Sequence, residues 1–226
     1  MKKLISKPFK NWNYEEINDT FGYVRKFEHP ILSHFETLRL PAEHPQRAVI
    51  ENLRKVAIMY IDSWNEDEYK FMFISPFLSL IQFVSPYYKV FTQRPMSIMY
   101  DNDTKCTEGL VEFMLARGIY KPQKPHFFLH EYKPEKRRDN DPLGQLLIAM
   151  IGAQQVNADE QPIYGVYVNG RNWFWVALIG KEYAVSNPYV ITSDDIFDLF
   201  AVLEYLRDKM DEVYKKLSVT TNGKVD

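Results

Sequence analysis

Two stretches decide the fold expected for this chain: Glu108–Leu115 (EGLVEFML) and His126–Lys133 (HFFLHEYK). Both are short runs rich in apolar or aromatic residues, a composition typical of β-strands. Between them lies Arg117–Pro125, a turn-like segment with three lysine or arginine residues. Because a short connection joins antiparallel neighbours, we predict that Gly109–Leu115 and His126–Lys133 pair with each other in one mixed sheet.

The second stretch carries an acid and a base two positions apart. Glu131 and Lys133 on a strand point to the same face, about 7 Å apart along the backbone. A carboxylate there can hold a hard cation, and the ammonium can orient a water or stabilise charge on a phosphate. The alternative is a surface ion pair on an edge strand, because an E-x-K sequence on its own is common.

The first stretch places an acid among apolar residues. Glu112 lies between Val111 and Phe113, and a glutamate is almost never fully buried without a partner. If the two strands are neighbours, Glu112 can meet Glu131, and two adjacent carboxylates favour a cation such as Mg²⁺. The alternative is that Glu112 faces solvent on an amphipathic strand.

Helices are expected on both sides of these strands. In Asn65–Leu78 (NEDEYKFMFISPFL), Asn65 is a suitable N-cap, and the acids that follow it suit the first turn of a helix. This helix should extend toward Val84, with a kink at Pro76 and an end before Pro86. After the strands, Asp141-Pro142 should open a second helix, which is buried because Gly144–Gln155 (GQLLIAMIGAQQ) is apolar nearly all round.

The rest of the chain is predicted from periodicity and turn residues. Two further helices are expected, Pro45–Trp64 with an apolar stripe at Val49, Leu53, Val56, Ala57 and Tyr60, and 194–217, capped by Ser193, with a stripe at Ile196, Phe200, Leu203, Leu206, Met210, Val213 and Leu217. Further strands are expected at Tyr88–Phe91, Met96–Tyr100, Ile163–Val168 and Trp173–Leu178, the last two joined by an Asn169-Gly170 turn. Met1–His44 is predicted to be an irregular arm packed on the core.

We expect one domain over residues 1–218 with its core at 65–178, followed by a disordered tail at 219–226. Aromatic residues are abundant, with 15 Tyr, 15 Phe and 4 Trp. Tyr164, Trp173 and Trp175 could stack on bases, but core packing of a hairpin is the expected role.

The order of these features resembles the PD-(D/E)XK nuclease superfamily, the restriction-endonuclease-like fold, over residues 65–178. The family's second-strand acid after a glycine is matched by Glu112 after Gly109, and its E-x-K by Glu131-Tyr132-Lys133. The glutamine of its following helix is matched by Gln145 or Gln154. Its first-helix acid is matched best by Glu66, with Glu68 second. The second-strand acid of the family is usually Asp, and here it is Glu.

The resemblance implies an α/β fold with a mixed central sheet flanked by helices, and extra helices at both ends. It also implies a Mg²⁺- or Mn²⁺-dependent phosphodiesterase acting on DNA, in restriction, defence or repair. Glu112 and Glu131 would hold the metal with the Tyr132 carbonyl, and Lys133 would position water. Glu66 would orient the site, and Gln145 would support it. The alternative is a catalytically inactive nuclease-like module that binds nucleic acid or a protein partner.

Composition sets limits on partners and location. The formal net charge of −2 argues against general polyanion binding, so contact with DNA would come from a local basic patch, Lys121, Lys124, Lys136, Arg137 and Arg138. The alternative is that these residues form a solvated loop. A single cysteine, Cys106, excludes an intrachain disulfide and favours a reducing, cytoplasmic location.

Sequence motifs narrow the function classes further. We expect no signal peptide and no transmembrane helix, because no apolar run of sufficient length follows the N-terminal lysines or occurs elsewhere, and so we expect no membrane partner. Gly-rich phosphate loops and the HExxH, CxxC and GxSxG motifs are absent. A homodimer is a further expectation, by analogy with such nucleases.

Overall fold

The computed structural model describes residues 5–101, 105–133, 141–158 and 161–222, and side chains at the same positions except 5, 125–133 and 217–222. In this part of the chain, helices flank both faces of a mixed sheet, so the expected α/β class is confirmed. None of the helices in these ranges has the length and apolar character needed to cross a bilayer.

The helices and strands are numbered in chain order. The helices are α1 (Tyr14–Phe21), α2 (Pro30–Phe35), α3 (Arg47–Tyr60), α4 (Glu66–Tyr69), α5 (Ser75–Ser79), α6 (Pro142–Asn157) and α7 (Asp195–Asn222), with a π-helical segment at Lys70–Ile74 and a 3-10 turn at Phe9–Asn11. The strands are β1 (Ile5–Pro8), β2 (Val24–Lys26), β3 (Lys89–Tyr100), β4 (Lys105–Arg117), β5 (Gln123–Lys133), β6 (Ile163–Asn169), β7 (Asn172–Ile179), β8 (Glu182–Val185) and β9 (Tyr189–Val190).

The central hairpin forms as predicted. β4 pairs with β5 in antiparallel fashion, from Arg117 opposite Gln123 to Phe113 opposite His130. The chain then crosses through α6 to β6, which pairs with β5 in parallel. The sheet is therefore mixed at β5, and the prediction that the two deciding stretches are neighbouring antiparallel strands is confirmed.

The strand β4 changes partner along one of its edges. Its first edge follows β3 over the full length of the pairing. Its second edge pairs with β1 over Lys105–Glu108 and with β5 over Phe113–Arg117. The stretch from Gly109 to Glu112 thus lies at a fork between β1 and β5, and openings between diverging neighbours are where sheets commonly bind ligands.

Two hydrophobic cores cover the two faces of the sheet. On one, here called the α7 face, side chains from α2, α3, α5 and α7 pack on the sheet. On the other, the α6 face, the sheet is covered by α6 and the N-terminal residues. Trp173 and Trp175 are fully buried on the α7 face, where each contributes about 3 kcal/mol of hydrophobic stabilisation. Core packing therefore accounts for the tryptophans of this hairpin.

The helix α6 and the hairpin after it follow their local sequence rules. Asp141 accepts a hydrogen bond from the Leu143 backbone N–H at 3.0 Å, with Pro142 at the first helical position. The helix is buried on most of its circumference, as its all-round apolar sequence predicts. The β6–β7 turn is Gly170-Arg171, one residue later than predicted, with Gly170 at φ 58°.

The N-terminal region corrects the expectation of an irregular arm. Residues 5–44 form β1, α1, β2 and α2, and β1 and β2 join the sheet beside β4 and β8. Asn13 caps α1 with a reciprocal bond to Glu16. The signal was present in the sequence, because N-x-x-E is a capping box, but alternating aromatics and charges obscured it. The expected packing on the core holds, since Phe9 and Trp12 are buried.

Three helix details also differ from expectation. The buried stripe of α3 runs through Ile50, Leu53, Ala57 and Ile61, whereas the predicted Val49 and Tyr60 are exposed. The helix that Asn65 caps ends at Ser79 rather than near Val84, and its irregularity is the π-helical segment just before Pro76. Proline has no N–H to donate to the preceding turn and its ring crowds the backbone there, so an irregular turn just before Pro76 is expected.

The other predicted elements form with different ends, and the structure adds two strands that were not predicted, β8 and β9. Tyr88–Phe91 and Met96–Tyr100 belong largely to one strand, β3, because the register continues through Arg94 and Pro95. The Ser193 hydroxyl accepts from the Asp195 backbone N–H at 3.2 Å at the start of α7. The α7 stripe from Ile196 to Met210 is buried. The helix continues to Asn222, beyond the Leu217 predicted as its end, and 223–226 lie outside the described residues.

Candidate functional site

Glu112 lies at the fork of the sheet, where the pleat of β4 is irregular. Before it, Val111 packs in the core of the α6 face; after it, Met114 and Ala116 pack in the same core. Strict alternation would put 111 and 114 on opposite faces. The alternation is therefore reversed at Glu112 and Phe113, which both project to the α7 face.

The neighbouring strand β3 has a matching irregularity. Phe91 and Met96 both pack on the α6 face although an odd number of positions separates them. The register of Thr92 with Phe113 and Arg94 with Val111 places Gln93 opposite Glu112. Gln93 has a φ of 52°, in the left-handed region that non-glycine residues rarely adopt. Its side-chain amide donates a hydrogen bond to Glu112 Oε2.

Glu112 is bound to the first helix through a lysine. Lys70 Nζ lies 2.7 Å from Glu112 Oε2 and 2.7 Å from Glu66 Oε1, so one ammonium bridges both carboxylates. Glu66 and Lys70 are four apart, on one face of a helical turn. The Asn65 side chain fixes that turn by accepting from the Glu68 backbone N–H at 2.9 Å. The structure thereby brings together Glu66 and Glu112, two of the predicted site residues.

The bridge is largely shielded from solvent. The side chain of Glu112 is 15% exposed, and those of Lys70 and Glu66 are 27% and 30% exposed. Burial opposes the charged form of Lys70, but hydrogen bonds to Glu112 and Glu66 outweigh it, so the pKa of Lys70 is raised above its ordinary value. The ammonium therefore stays protonated at neutral pH. Two carboxylates and one ammonium leave this cluster with one net negative charge.

Glu131 and Lys133 lie on β5, and their side chains are outside the described residues. Their α-carbons pair with those of Tyr167 and Asn169 on β6. Phe113 pairs with His130 across β4 and β5. Glu112 and Glu131 are the next residues along these two strands, where the pairing ends. The Tyr132 carbonyl belongs to the same strand. The backbone thus makes the E-x-K strand a neighbour of β4 at Glu112. Glu131 is in register with Tyr167, which packs on the α6 face, whereas Glu112 projects to the α7 face.

Two glutamines of α6 were candidates for the supporting position, and their surroundings differ. Gln154 is tied to the protein, because its Oε1 accepts from the Tyr23 hydroxyl at 2.6 Å and its Nε2 donates to the Gly180 carbonyl at 2.8 Å. Gln145 is 8% exposed, and its Oε1 has no hydrogen-bond partner in the described part of the chain. A buried acceptor without a partner is costly, which favours Gln145 as the residue with a task beyond packing.

The predicted basic patch is described only in part. Lys121 and Lys124 are exposed at the tip of the β4–β5 hairpin, beside Ile119 and Tyr120, which are 74% and 86% exposed. Gly118 allows the tight turn there with a φ of 101°. Lys136, Arg137 and Arg138 lie outside the described residues.

A cleft of about 580 Å³ opens next to the Glu66–Lys70–Glu112 cluster, on the α7 face between α5 and the β3–β4 pair. Its lining consists of Lys70, Ile74, Ser75, Leu78, Ser79, Gln82, Phe83, Val84, Val90, Thr92, Gln93, Glu112 and Phe113. Sequence reasoning missed this cleft and also Lys70 and Gln93. The i, i+4 spacing from Glu66 to Lys70 was a usable signal, but Gln93 had none, because only the register sets it opposite Glu112.

The carboxylate oxygens in this region are the type of ligand that Mg²⁺ prefers. Among residues whose side chains are described, no group of three or more His, Cys, Asp and Glu could hold a metal ion. Glu66 and Glu112 supply two carboxylates, and a third would have to come from β5.

Comparisons with models of known protein families and with curated proteins give no match for this chain. The features that bear on function are therefore the fork of β4, the carboxylates of Glu66 and Glu112, and the E-x-K segment on β5.

Proposed function

We propose that this chain is a Mg²⁺- or Mn²⁺-dependent phosphodiesterase acting on DNA, with a restriction-endonuclease-like core of the PD-(D/E)XK type. The observation that carries the proposal is the position of Glu112. It lies at the fork of β4, joined to Glu66 through Lys70, one residue from the start of the pairing with the E-x-K strand. Helix, hairpin, helix and parallel strand follow one another in the order of that family.

Each residue has a chemical role in this proposal. Glu112 and Glu131 would hold the metal together with the Tyr132 carbonyl, which requires both carboxylates to reach the same face of the sheet at the fork. A bound ion would polarise the phosphate and lower the pKa of a water molecule. Lys133 orients the attacking water and faces the negative charge that develops on the phosphate. Glu66 would hold the Glu112 side of the site in place through Lys70, whereas Gln145, on the α6 face, can contact only groups on that face.

The cation bridge sets a condition on this chemistry. Lys70 occupies the space between Glu66 and Glu112 that an ion bound to both would need. An active enzyme requires the Lys70 ammonium either to move toward the cleft or to stay paired with Glu66 alone. Position 112 carries glutamate where the family usually has aspartate. The longer side chain lets its carboxylate reach either Lys70 or the metal.

The test is cleavage of plasmid, linear and single-stranded DNA by the purified protein with Mg²⁺ or Mn²⁺, repeated with chelator. We expect cleavage that stops with chelator. Lys133→Ala should lower the rate at least about 100-fold while DNA binding persists, because the ammonium acts chiefly in the transition state. Glu131→Ala should remove metal binding, measured by calorimetry with Mn²⁺. Lys55→Ala, an exposed lysine outside the basic patch, is the control.

Glu112→Asp gives the sharper comparison. In an active enzyme the shorter acid changes the cleavage rate, because it alters the distance from the carboxylate to the metal. An unchanged rate would show that Glu112 takes no part. Absence of cleavage of any of these DNAs, or of RNA, with either metal would rule out the phosphodiesterase.

A second candidate is a catalytically inactive module that binds nucleic acid through the same fold. One observation favours it: Glu112 is already satisfied by Lys70 and Gln93, as in a site whose ion has been replaced by a lysine. This module would bind DNA in chelator, with affinity that falls as salt rises. Charge reversal at Lys136, Arg137 and Arg138 would weaken that binding.

A further inference from the structure

The cleft beside the Glu66–Lys70–Glu112 cluster is largely apolar and carries charge at one end. Its apolar lining comes from the helical side and from the β3–β4 pair: Ile74, Leu78, Phe83, Val84, Val90 and Phe113. Val84 is 83% exposed and Val90 is half-buried, so aliphatic surface stays open to an occupant. A cavity of about 580 Å³ has the size of small-molecule sites. Covering its apolar surface favours an occupant with an apolar body.

Glu112 supplies charge at the end of the cleft, and only one of its two carboxylate oxygens is bonded. The Lys70 ammonium, at 2.7 Å, and the Gln93 side-chain amide both donate to Oε2. Within the described part of the chain, Oε1 accepts no hydrogen bond, and it is not sealed from solvent either. Each oxygen of an ionised carboxylate can accept about two hydrogen bonds. Oε1 is therefore available to a donor that enters the cleft.

The sign of the charge at this end selects a cationic donor. The carboxylates of Glu66 and Glu112 share the single ammonium of Lys70, which leaves one negative charge over within the cluster. The Glu112 side chain is only 15% exposed, so water screens its charge less than it would at the surface. An organic anion would be repelled, and a neutral donor would bond to Oε1 without balancing the charge. A protonated amine does both.

We infer that this cleft binds a small organic cation, an alkylammonium whose head donates to Glu112 Oε1 and whose chain covers the apolar lining. The body is aliphatic because the open apolar surface belongs to Val84 and Val90, whereas the rings of Phe83 and Phe113 are 3% and 8% exposed and offer little face for stacking. The inference does not depend on the phosphodiesterase; it gives the cleft a ligand of its own.

The first experiment is calorimetric titration of the full chain, in metal-free buffer at neutral pH, with butylamine, hexylamine and octylamine. Burial of each added methylene should raise the affinity about four-fold. Hexanol and hexanoate are the neutral and anionic probes of matched length. Because a hydrogen bond to a charged group is worth about a factor of ten or more, hexylamine should bind at least about ten-fold more tightly than either.

Two variants with matched controls locate the binding. Glu112→Gln removes the charge at nearly the same shape, and should lower the affinity for hexylamine to about that for hexanol. Glu108→Gln removes an exposed carboxylate from the same strand outside the cleft, and should bind hexylamine as the wild type does.

Ser79→Trp, at the rim, should block all the probes, and Ser63→Trp is its control. Both serines are exposed, and both hydroxyls donate to the carbonyl three residues earlier at 2.7 Å, but Ser63 lies away from the cleft.

Three results would overturn the inference: no binding of the amines, equal affinity for the three head groups, or unchanged hexylamine binding in Glu112→Gln. A dimer lost in Ser79→Trp but kept in Ser63→Trp, by ultracentrifugation, would also overturn it and assign the cleft to a second copy. Amine binding that depends on Glu112, without cleavage of any nucleic acid, would leave the inference standing and rule out the enzyme. Metal-dependent cleavage without amine binding would do the reverse.

Discussion

The two faces of the sheet differ in whether a buried polar group has a partner. On the α7 face, the carboxylate of Glu112 is matched by Lys70 and Gln93, in a region where helix and strands are all irregular. On the α6 face, α6 is a regular, closely packed helix, yet Gln145 keeps a buried oxygen without a partner in the described residues. The charged group is satisfied where the backbone is irregular, and the neutral group is left unpaired on a regular helix.

The difference follows from the free-energy cost of burying each group without a partner. An unpaired buried charge costs far more than an unpaired amide oxygen, because desolvation of an ion is expensive in a medium of low dielectric constant. The α7 face therefore had to supply a cation close to Glu112. The α6 face tolerates the amide because the rest of its packing is close enough to hold the helix in place.

The largest expected effect tests how closely α6 is packed. A Cβ at Gly144 would lie 2.4 Å from the Trp12 carbonyl oxygen and 2.8 Å from the Asn13 Cα, both backbone atoms. We expect Gly144→Ala to lower the free energy of unfolding by about 3 kcal/mol, measured by urea denaturation. Gly152→Ala is the control, because its nearest contact is the flexible Met96 Sδ at 2.7 Å. It should cost at most about 1 kcal/mol, since alanine also favours the helix. Equal losses would show that the N-terminal segment yields.

The next effect tests the cation on the α7 face. Lys70→Met should lower the free energy of unfolding by about 2 kcal/mol, less than a fully buried pair would lose because all three side chains keep some solvent. Lys55→Met should change it by less than about 0.5 kcal/mol, since Lys55 is 62% exposed and lies 3.8 Å from Glu51. Adding Glu112→Gln to Lys70→Met should recover part of the loss, and no recovery would show that the two side chains are not coupled.

The same variant has a consequence for pH. The raised pKa of Lys70 means that its stabilising contribution is complete below the pKa of an unfolded lysine and is lost as pH rises through the higher folded value. The difference in unfolding free energy between wild type and Lys70→Met should therefore be constant near neutral pH and shrink in strong alkali.

The smallest effect concerns Gln145 and has the opposite sign. Gln145→Leu removes an unpaired acceptor and should raise the free energy of unfolding by about 1 kcal/mol. Gln154→Leu, on the same helix, loses two hydrogen bonds and should lower it by about 1 kcal/mol. If Gln145 serves the site, its variant is more stable and less active, a trade that is common at functional positions. A destabilised Gln145→Leu would mean that the oxygen has a partner.

Local sequence was sufficient for those elements whose signals are carried by neighbouring residues. The sequence predicted the caps at Asn65 and Asp141 and the pairing of β4 with β5. It also predicted that α6 is apolar on nearly all sides. The end of α5 and the face of α3 could not, because Val49 and Ile50 are equally apolar and only packing decides which is buried.

The candidate site divides in the same way. Glu66 and Glu112 were predicted as site residues from the order of motifs, and the structure joins them on one ammonium. Lys70 and Gln93 were not, because their roles depend on residues 42 and 19 positions away along the chain. The roles of Glu131, Lys133 and Gln145 in catalysis remain predictions for the cleavage and binding experiments.

The sequence by itself determined the α/β class, the hairpin at the centre of the sheet and the helix that crosses from β5 to β6, because caps, periodicity and turn residues act over a few positions. Only the tertiary structure decided that β4 changes partner at Glu112, that the pleat reverses there and that Gln93 meets it across the sheet. These features depend on strand register, which is set by the packing of both faces together and cannot be determined from any one segment.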